Sequence, residues 1–274
     1  MVKFPDTKDN DFYKKINKIY SKYKIPKKKK SFTEICMPSK YQLQFPQQFV
    51  GQFLNPGTPY KGVLVYHRIG AGKTCTAVRV GEAFKKKRNI IVVLPASLKG
   101  NFRNELRSLC AGDEYITGNE RKLLMSLHPS DPKYKDILKQ TDKRIDKYYK
   151  IYSYNKFIEY VQEGEIKLTN TLLIIDEIQN MVSEEGTYYS ELYYLIKHAP
   201  DDLRIVLLSA TPMFDKPFEM GLTINLLRPQ REFPSTSIDF DKKFISTKKD
   251  KKGNYKLSMK NIDLFKSIIR GYVS

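Results

Sequence analysis

Five short apolar runs, GVLVYH, NIIVVLP, YKIYSY, TLLIID and RIVLLSA, recur between residues 62 and 210, each separated from the next by a stretch with helix-like spacing. Runs that are apolar on both faces suit strands covered by helices on either side, and their alternation with helices describes parallel βαβ units. The chain is therefore expected to be α/β: a mostly parallel central sheet, doubly wound, with helices on both faces.

The connection after the first run carries the most specific chemistry. HRIGAGKTCTA, residues 67–77, stands between an apolar run and a helical segment, so strand, glycine loop and helix arrive in the order of a P-loop. Gly70, Ala71 and Gly72 let successive amide hydrogens turn toward phosphate oxygens, and the helix N-terminus adds partial positive charge. Lys73 is placed to reach the β- and γ-phosphates of ATP, Thr74 to ligate Mg²⁺, and Cys75 follows within the same loop-to-helix turn. His67 occupies the position where the full pattern has glycine, so only the shorter GxGKT form is intact.

DEIQ, Asp176–Gln179, ends the fourth run. An acidic pair at the carboxyl end of a parallel strand lies where open α/β sheets bind ligands. Asp176 is read as the Mg²⁺ partner and Glu177 as the general base that polarises the attacking water. Taken alone, such a pair is equally a helix N-cap. SATP follows the fifth run, and Ser209, Ala210 and Thr211, with Gln179, are candidates for coupling the acidic motif to the presence of the γ-phosphate. A turn before a helix is the plainer reading of each motif alone. Their order on successive strands favours the chemistry.

Charge points to the partner. Lys and Arg total 49 against 30 Asp and Glu, a formal net charge of +19 over 274 residues, which attracts a polyanion, nucleic acid first. No stretch approaches the roughly 18 uninterrupted apolar residues of a spanning helix, so no membrane role is expected. Cys36, Cys75 and Cys110 are odd in number and far apart without a CxxC pair; neither a disulfide framework nor a zinc site is expected, and a reducing intracellular compartment follows. His128 and His198 have no metal-ligand partner at useful spacing.

The chain divides into a basic extension at residues 1–40, including Lys27–Lys30, a core domain at 41–230 with a charged insertion at 111–150, and a terminal segment at 231–274 with weak periodicity. The extension offers little continuous apolar surface and reads as lying outside the core.

GxGKT, DExx and SATP together resemble motifs I, II and III of superfamily 2 helicases, and the domain resembles their first RecA-like domain. VVLPASLKGNFRNEL, residues 92–106, is similar to motif Ia of Swi/Snf-type translocases, and IYSYNKF, residues 151–157, to the Ser-Tyr segment of the same group. LQFPQQFVGQFLNPGTPYKGVLVYH resembles the ATPases of large DNA viruses, the poxvirus nucleoside triphosphate phosphohydrolase I type and its asfar- and mimivirus-like relatives. The likeness extends over residues 41–274.

That resemblance implies a nucleic-acid-dependent ATPase or translocase using ATP and Mg²⁺, serving viral transcription beside a viral RNA polymerase in virion and host cytoplasm. It implies that Gln47 reads adenine, although Pro46 stands where a His is frequent. Lys99, Asn101, Ser153 and Tyr154 become candidate backbone contacts to nucleic acid, DNA before RNA; capping and core packing are the plainer alternatives for each. Motifs IV to VI do not follow Ser274, so the resemblance implies a second RecA-like domain in cis or trans, without which turnover is weak. A conventional RNA helicase and a non-catalytic, nucleotide-gated scaffold are the alternatives.

Overall fold

A computed structural model describes residues 2–25, 41–184, 186–213, 216–249 and 255–274. The Lys27–Lys30 run and Cys36 lie outside the described residues. The five apolar runs form β1 (Gly62–Tyr66), β2 (Asn89–Leu94), β3 (Tyr149–Ser153), β4 (Thr171–Ile175) and β5 (Arg204–Ser209). All pair in parallel, in the order β1-β5-β4-β2-β3.

Alternate residues of each strand feed two separate cores, which is what a strand's period of two requires when both faces are covered. Val63, Val65, Val92, Leu172, Ile174 and Val206 meet α3 (Lys73–Phe84), α4 (Lys99–Leu106) and α2 (Phe45–Phe53). Leu64, Ile91, Val93, Leu173, Ile175 and Leu207 meet α7 (Tyr154–Gln162), α8 (Thr187–Lys197) and α9 (Pro217–Asn225). Burying one such side chain contributes about 1.5–3 kcal/mol, so the sheet is held from both sides.

The chain leaves β1, skips two strand positions to β2, and fills them later with β4 and β5. This reversal opens a crevice at the carboxyl ends of the strands. The segments after β1, β4 and β5 meet there, with the last strand between the other two.

Over the described residues 2–25, the reading of the first forty residues as an extension outside the core needs correction. α1 (Phe12–Ile19) buries Phe12 and Ile16, and Tyr20 follows at the same four-residue spacing. Tyr60 donates to the Pro5 carbonyl at 3.1 Å, Tyr20 to Gln52 at 3.1 Å, and Arg270 to the carbonyls of Lys8 and Asp9 at 3.2 and 3.0 Å. Three apolar residues i, i+4 and i+8 are enough to dock a helix, and the lysines between them hide the stripe in a plain reading.

The charged insertion contains α5 (Gly118–Ser126), opened by a Thr117–Glu120 capping box, and α6 (Pro132–Asp146), capped by Asp131. α6 turns Ile137, Thr141 and Ile145 inward, while Asp142 and Asp146 meet Arg103 at 3.0 and 2.6 Å. In the terminal segment, α10 (Ser237–Phe244) packs Phe240 and Phe244 against Phe233, and an antiparallel ribbon, β6 (Ile245–Lys249) with β7 (Tyr255–Met259), leads to α11 (Ile262–Ile269). Weak periodicity there reflects elements only five to eight residues long, one of them exposed throughout. The chain then returns beside β1, where the Leu64 and Tyr66 amides donate to Tyr272 and Ser274 at 2.6 and 3.1 Å.

Candidate nucleotide site

The loop after β1 needs its glycines. Gly70 and Gly72 hold φ of +80° and +72°, a region that favours glycine, and a Cβ at Gly72 would stand 2.2 Å from the Gln47 side-chain nitrogen. The Gly72 carbonyl accepts the Thr76 amide at 3.0 Å, which starts α3 with Lys73 and Thr74 as its first residues. Neither of those side chains makes a hydrogen bond or salt bridge to any described residue. Gln47 is buried: its Oε1 accepts the Gln44 amide at 2.8 Å and its Nε2 donates to the Gly72 carbonyl at 3.3 Å. It therefore lies behind the loop, outside the residues that line the cavity in front.

Across the crevice, β4 ends in Asp176, whose amide still bonds to Val93 at 2.9 Å. Its carboxyl is buried, and burial followed by the neighbouring Glu177 charge pushes its pKa up to about 6, against the opposing pull of Lys73. Glu177 has φ +50°, unusual for a side-chain-bearing residue. Gln179 donates to Glu177 Oε2 at 2.6 Å, Ser209 donates to Gln179 Oε1 at 2.7 Å, and the Thr211 amide donates to Ser209 at 3.0 Å. The expected link between acidic motif and small hydroxyl is thus a continuous chain running from β5 to the Glu177 carboxylate. Ala210 supplies backbone between Ser209 and Thr211, and Thr211 is exposed.

One cavity of about 340 Å³ joins these walls, lined by Gly70, Gly72, Lys73, Thr74, Asp176 and Glu177 among others. α4 closes its side with Asn101 and Glu105, and Leu98, just before the helix, joins them. Asn101, nominated from the sequence for nucleic acid, faces this cavity. Glu105 had no sequence role, yet the spacing 98, 101, 105 is one helical face and was the available signal. Ser153 ends β3 beside Leu94 of β2, and Lys99 opens α4 five residues after that strand; both are half-buried. Tyr154 is buried, its hydroxyl donating to the carbonyls of Asp176 and Glu177 at 2.6 and 2.9 Å.

The cysteine reading is also corrected. Cys75 and Cys110 form a disulfide, Cα to Cα 5.6 Å, joining the start of α3 to the turn after α4. The fold brings together residues 35 apart in sequence, a pairing that spacing alone cannot disclose. Bonded sulfurs carry no hydrogen, so the Glu105 Oε1 lying 2.8 Å from Cys110 bonds to it only as a protonated carboxyl, the form that burial of Glu105 favours.

Known proteins resemble this chain. The chain is 55% identical over 273 residues to a putative ATP-dependent RNA helicase of Acanthamoeba polyphaga mimivirus, covering 100% of this chain and 47% of that protein. It is 27% identical over 180 residues to the termination factor NPH-I homolog of African swine fever virus, covering 64% of this chain and 23% of the relative. The chain thus spans half or less of the length of these relatives. The Sulfolobus solfataricus SWI2/SNF2 ATPase core, solved in complex with dsDNA, shares the fold at a TM-score of 0.50 and 18% identity, over 84% of this chain and 42% of that one. A match over residues 47–219, which takes in both walls of the cavity, shows that the chain belongs to the DEAD/DEAH box helicase family.

Proposed function

We propose that this domain binds ATP with magnesium and hydrolyses it as part of a nucleic-acid-dependent translocase serving viral transcription. The observation that carries the reading is the single cavity shared by Lys73 and Thr74 on one wall and Asp176 and Glu177 on the other. Lys73, free of protein partners among the described residues, is available to phosphate oxygens. Glu177, oriented by Gln179 and Ser209, is the general base toward water.

The donor set fits a hard divalent cation: an oxygen from Thr74 and the buried Asp176 carboxylate, whose raised pKa reports negative charge that lacks sufficient compensation. Bound there, magnesium supplies charge neutralisation at the β- and γ-phosphates. Gln47, pressed on the loop, reads the base or senses loop closure from behind.

Lys99, which opens the helix after β2, and Ser153, which ends the neighbouring β3, are the proposed backbone contacts to nucleic acid, helped by the net charge of +19. Duplex DNA is the favoured polymer, supported by the DNA-bound SWI2/SNF2 core; the name of the mimivirus relative favours RNA as the second reading. The termination-factor relative supports a role in viral transcription, and with it we propose a viral RNA polymerase as partner and virion and host cytoplasm as location. A second RecA-like domain, in cis or trans, supplies cross-cleft arginines, and such a group is worth about 10³–10⁵ in turnover, so this chain alone is weakly active.

The test is ATP hydrolysis by this chain and by a protein of the relatives' full length, each with duplex DNA, single-stranded DNA or RNA. Stimulation by duplex DNA that falls steeply with salt supports the reading; stimulation by RNA alone favours the helicase alternative; hydrolysis indifferent to Glu177→Gln removes the catalytic assignment.

A further inference from the structure

Tyr154 begins α7 directly after β3, two strand positions away from β4 in the sheet. Its ring is buried, and its hydroxyl reaches the two carbonyls that flank Glu177, those of Asp176 and of Glu177 itself, at 2.6 and 2.9 Å. A hydroxyl carries one hydrogen, so the shorter contact is the principal bond and the longer one shares it.

The peptide it grips is the unusual one. Glu177 lies at φ +50° and ψ 50°, where a residue with a Cβ rarely stays unless its surroundings impose it. Within the turn, the Glu177 amide bonds to Asp176 Oδ1 at 3.0 Å and the Asn180 amide to the Glu177 carbonyl at 3.0 Å. Among the described residues, Tyr154 is the one side chain from another element that bonds either carbonyl. Without it the turn is tied to its neighbours only through the Asp176 amide on Val93 and through Gln179 on Ser209, neither of which holds these carbonyls.

Resting on the ATPase reading above, we infer that Tyr154 is a positioning residue for hydrolysis, holding the Asp176–Glu177 peptide so that the Glu177 carboxylate stays in the cavity. This assigns the Ser-Tyr junction two different tasks. Ser153 remains on the half-exposed strand end, while Tyr154 serves the acids from within. The hydroxyl acts on geometry alone and touches no reacting atom.

The experiment compares wild type, Tyr154→Phe, Glu177→Gln and the double variant, by steady-state hydrolysis of magnesium ATP and by binding of a fluorescent ATP analogue. Phenylalanine keeps the ring and removes only the bonds to the carbonyls. The expected result is a fall of about tenfold in kcat for Tyr154→Phe, the scale of one lost hydrogen bond, with KM and analogue binding within about twofold of wild type. The double variant should be no slower than Glu177→Gln, because the tyrosine acts through that glutamate. If Tyr154→Phe does not fold, Tyr154→Met, which fills the buried space with an adaptable apolar side chain and no donor, should lower kcat in the same direction with KM kept.

Hydrolysis that depends on Glu177 yet is unchanged in Tyr154→Phe overturns this inference and leaves the ATPase reading standing. A parallel loss of binding, kcat and thermal stability also overturns it, in favour of a purely structural role. Hydrolysis indifferent to Glu177→Gln overturns both.

Discussion

The two walls of the cavity are built in opposite ways. On the acid wall almost every polar group is engaged: Ser209 holds Gln179, Gln179 holds Glu177, and Tyr154 holds the peptide carrying both acids. On the phosphate wall the Lys73 and Thr74 side chains have no hydrogen-bonding partner among the described residues, and the loop's backbone hydrogen bonds run behind it, to Thr76 and Gln47. The difference follows from what each wall meets. A base must be oriented before substrate arrives, because misplacement costs rate. A cationic loop finds its partners in the substrate, and pairing it internally would weaken binding.

Replacing a group on each wall should therefore break different quantities. Glu177→Gln is expected to lower hydrolysis by about 10²–10⁴ while ATP still binds, measured by phosphate release alongside equilibrium titration. Equal loss of binding would erase the contrast between the walls. Reduction of the Cys75–Cys110 disulfide, which anchors the phosphate wall from behind, should destabilise the protein by about 2–4 kcal/mol, read by denaturant titration with and without a thiol reductant. Hydrogen exchange should then quicken at residues 68–76 and stay slow at 174–180; quickening in both segments would mean that the walls are mechanically one.

Lys73→Ala should weaken ATP binding by about 10- to 10²-fold, the worth of one charged hydrogen-bonding group, and leave the fold's melting temperature unchanged. Ser209→Ala, which cuts the chain at its origin, should lower hydrolysis by about tenfold with binding kept; an effect on binding instead would place the motif III turn on the wrong wall.

A smaller effect marks where the comparison stops, in the charged insertion away from the cavity. The Arg144 guanidinium holds the Glu120 carboxyl down to about 2, so its folded pKa lies below the ordinary 4.5. A depressed carboxylate contributes stability above its unfolded pKa and loses it as pH falls from about 4.5 toward 2. Glu120→Gln should flatten that acid limb by about 1 kcal/mol, screened by solvent, and leave ATP binding at neutral pH untouched.

The two walls and the sheet that carries them were legible because their signals are local. Asp176-Glu177 and Ser209 stand at the ends of both-faces-apolar runs and Gly72-Lys73-Thr74 closes the loop after another, and parallel order then brings them together. Even the Ser209 to Gln179 link could be anticipated, since β5 had to lie near β4.

What escaped depends on tertiary contact. Phe12, Ile16 and Tyr20 form a stripe only once a groove beside Tyr60 exists to receive it. Cys75 and Cys110 meet because α3 and α4 pack together. Tyr154 is equally able to point out from a strand end or in beneath it, and only the neighbouring acid turn, whose carbonyls accept its hydroxyl, decides. Asn101 was placed on the right helix, but its face toward the cavity depends on how α4 sits against α3.

The most direct measurement is a crystal structure with a non-hydrolysable ATP analogue and magnesium. The account predicts the triphosphate in the cavity, Lys73 Nζ on its terminal phosphates, magnesium facing Thr74 and Asp176, and Glu177 still left-handed with its carboxylate toward the terminal phosphate. A triphosphate bound elsewhere, or bound with Lys73 and Asp176 turned away from it, would contradict the account.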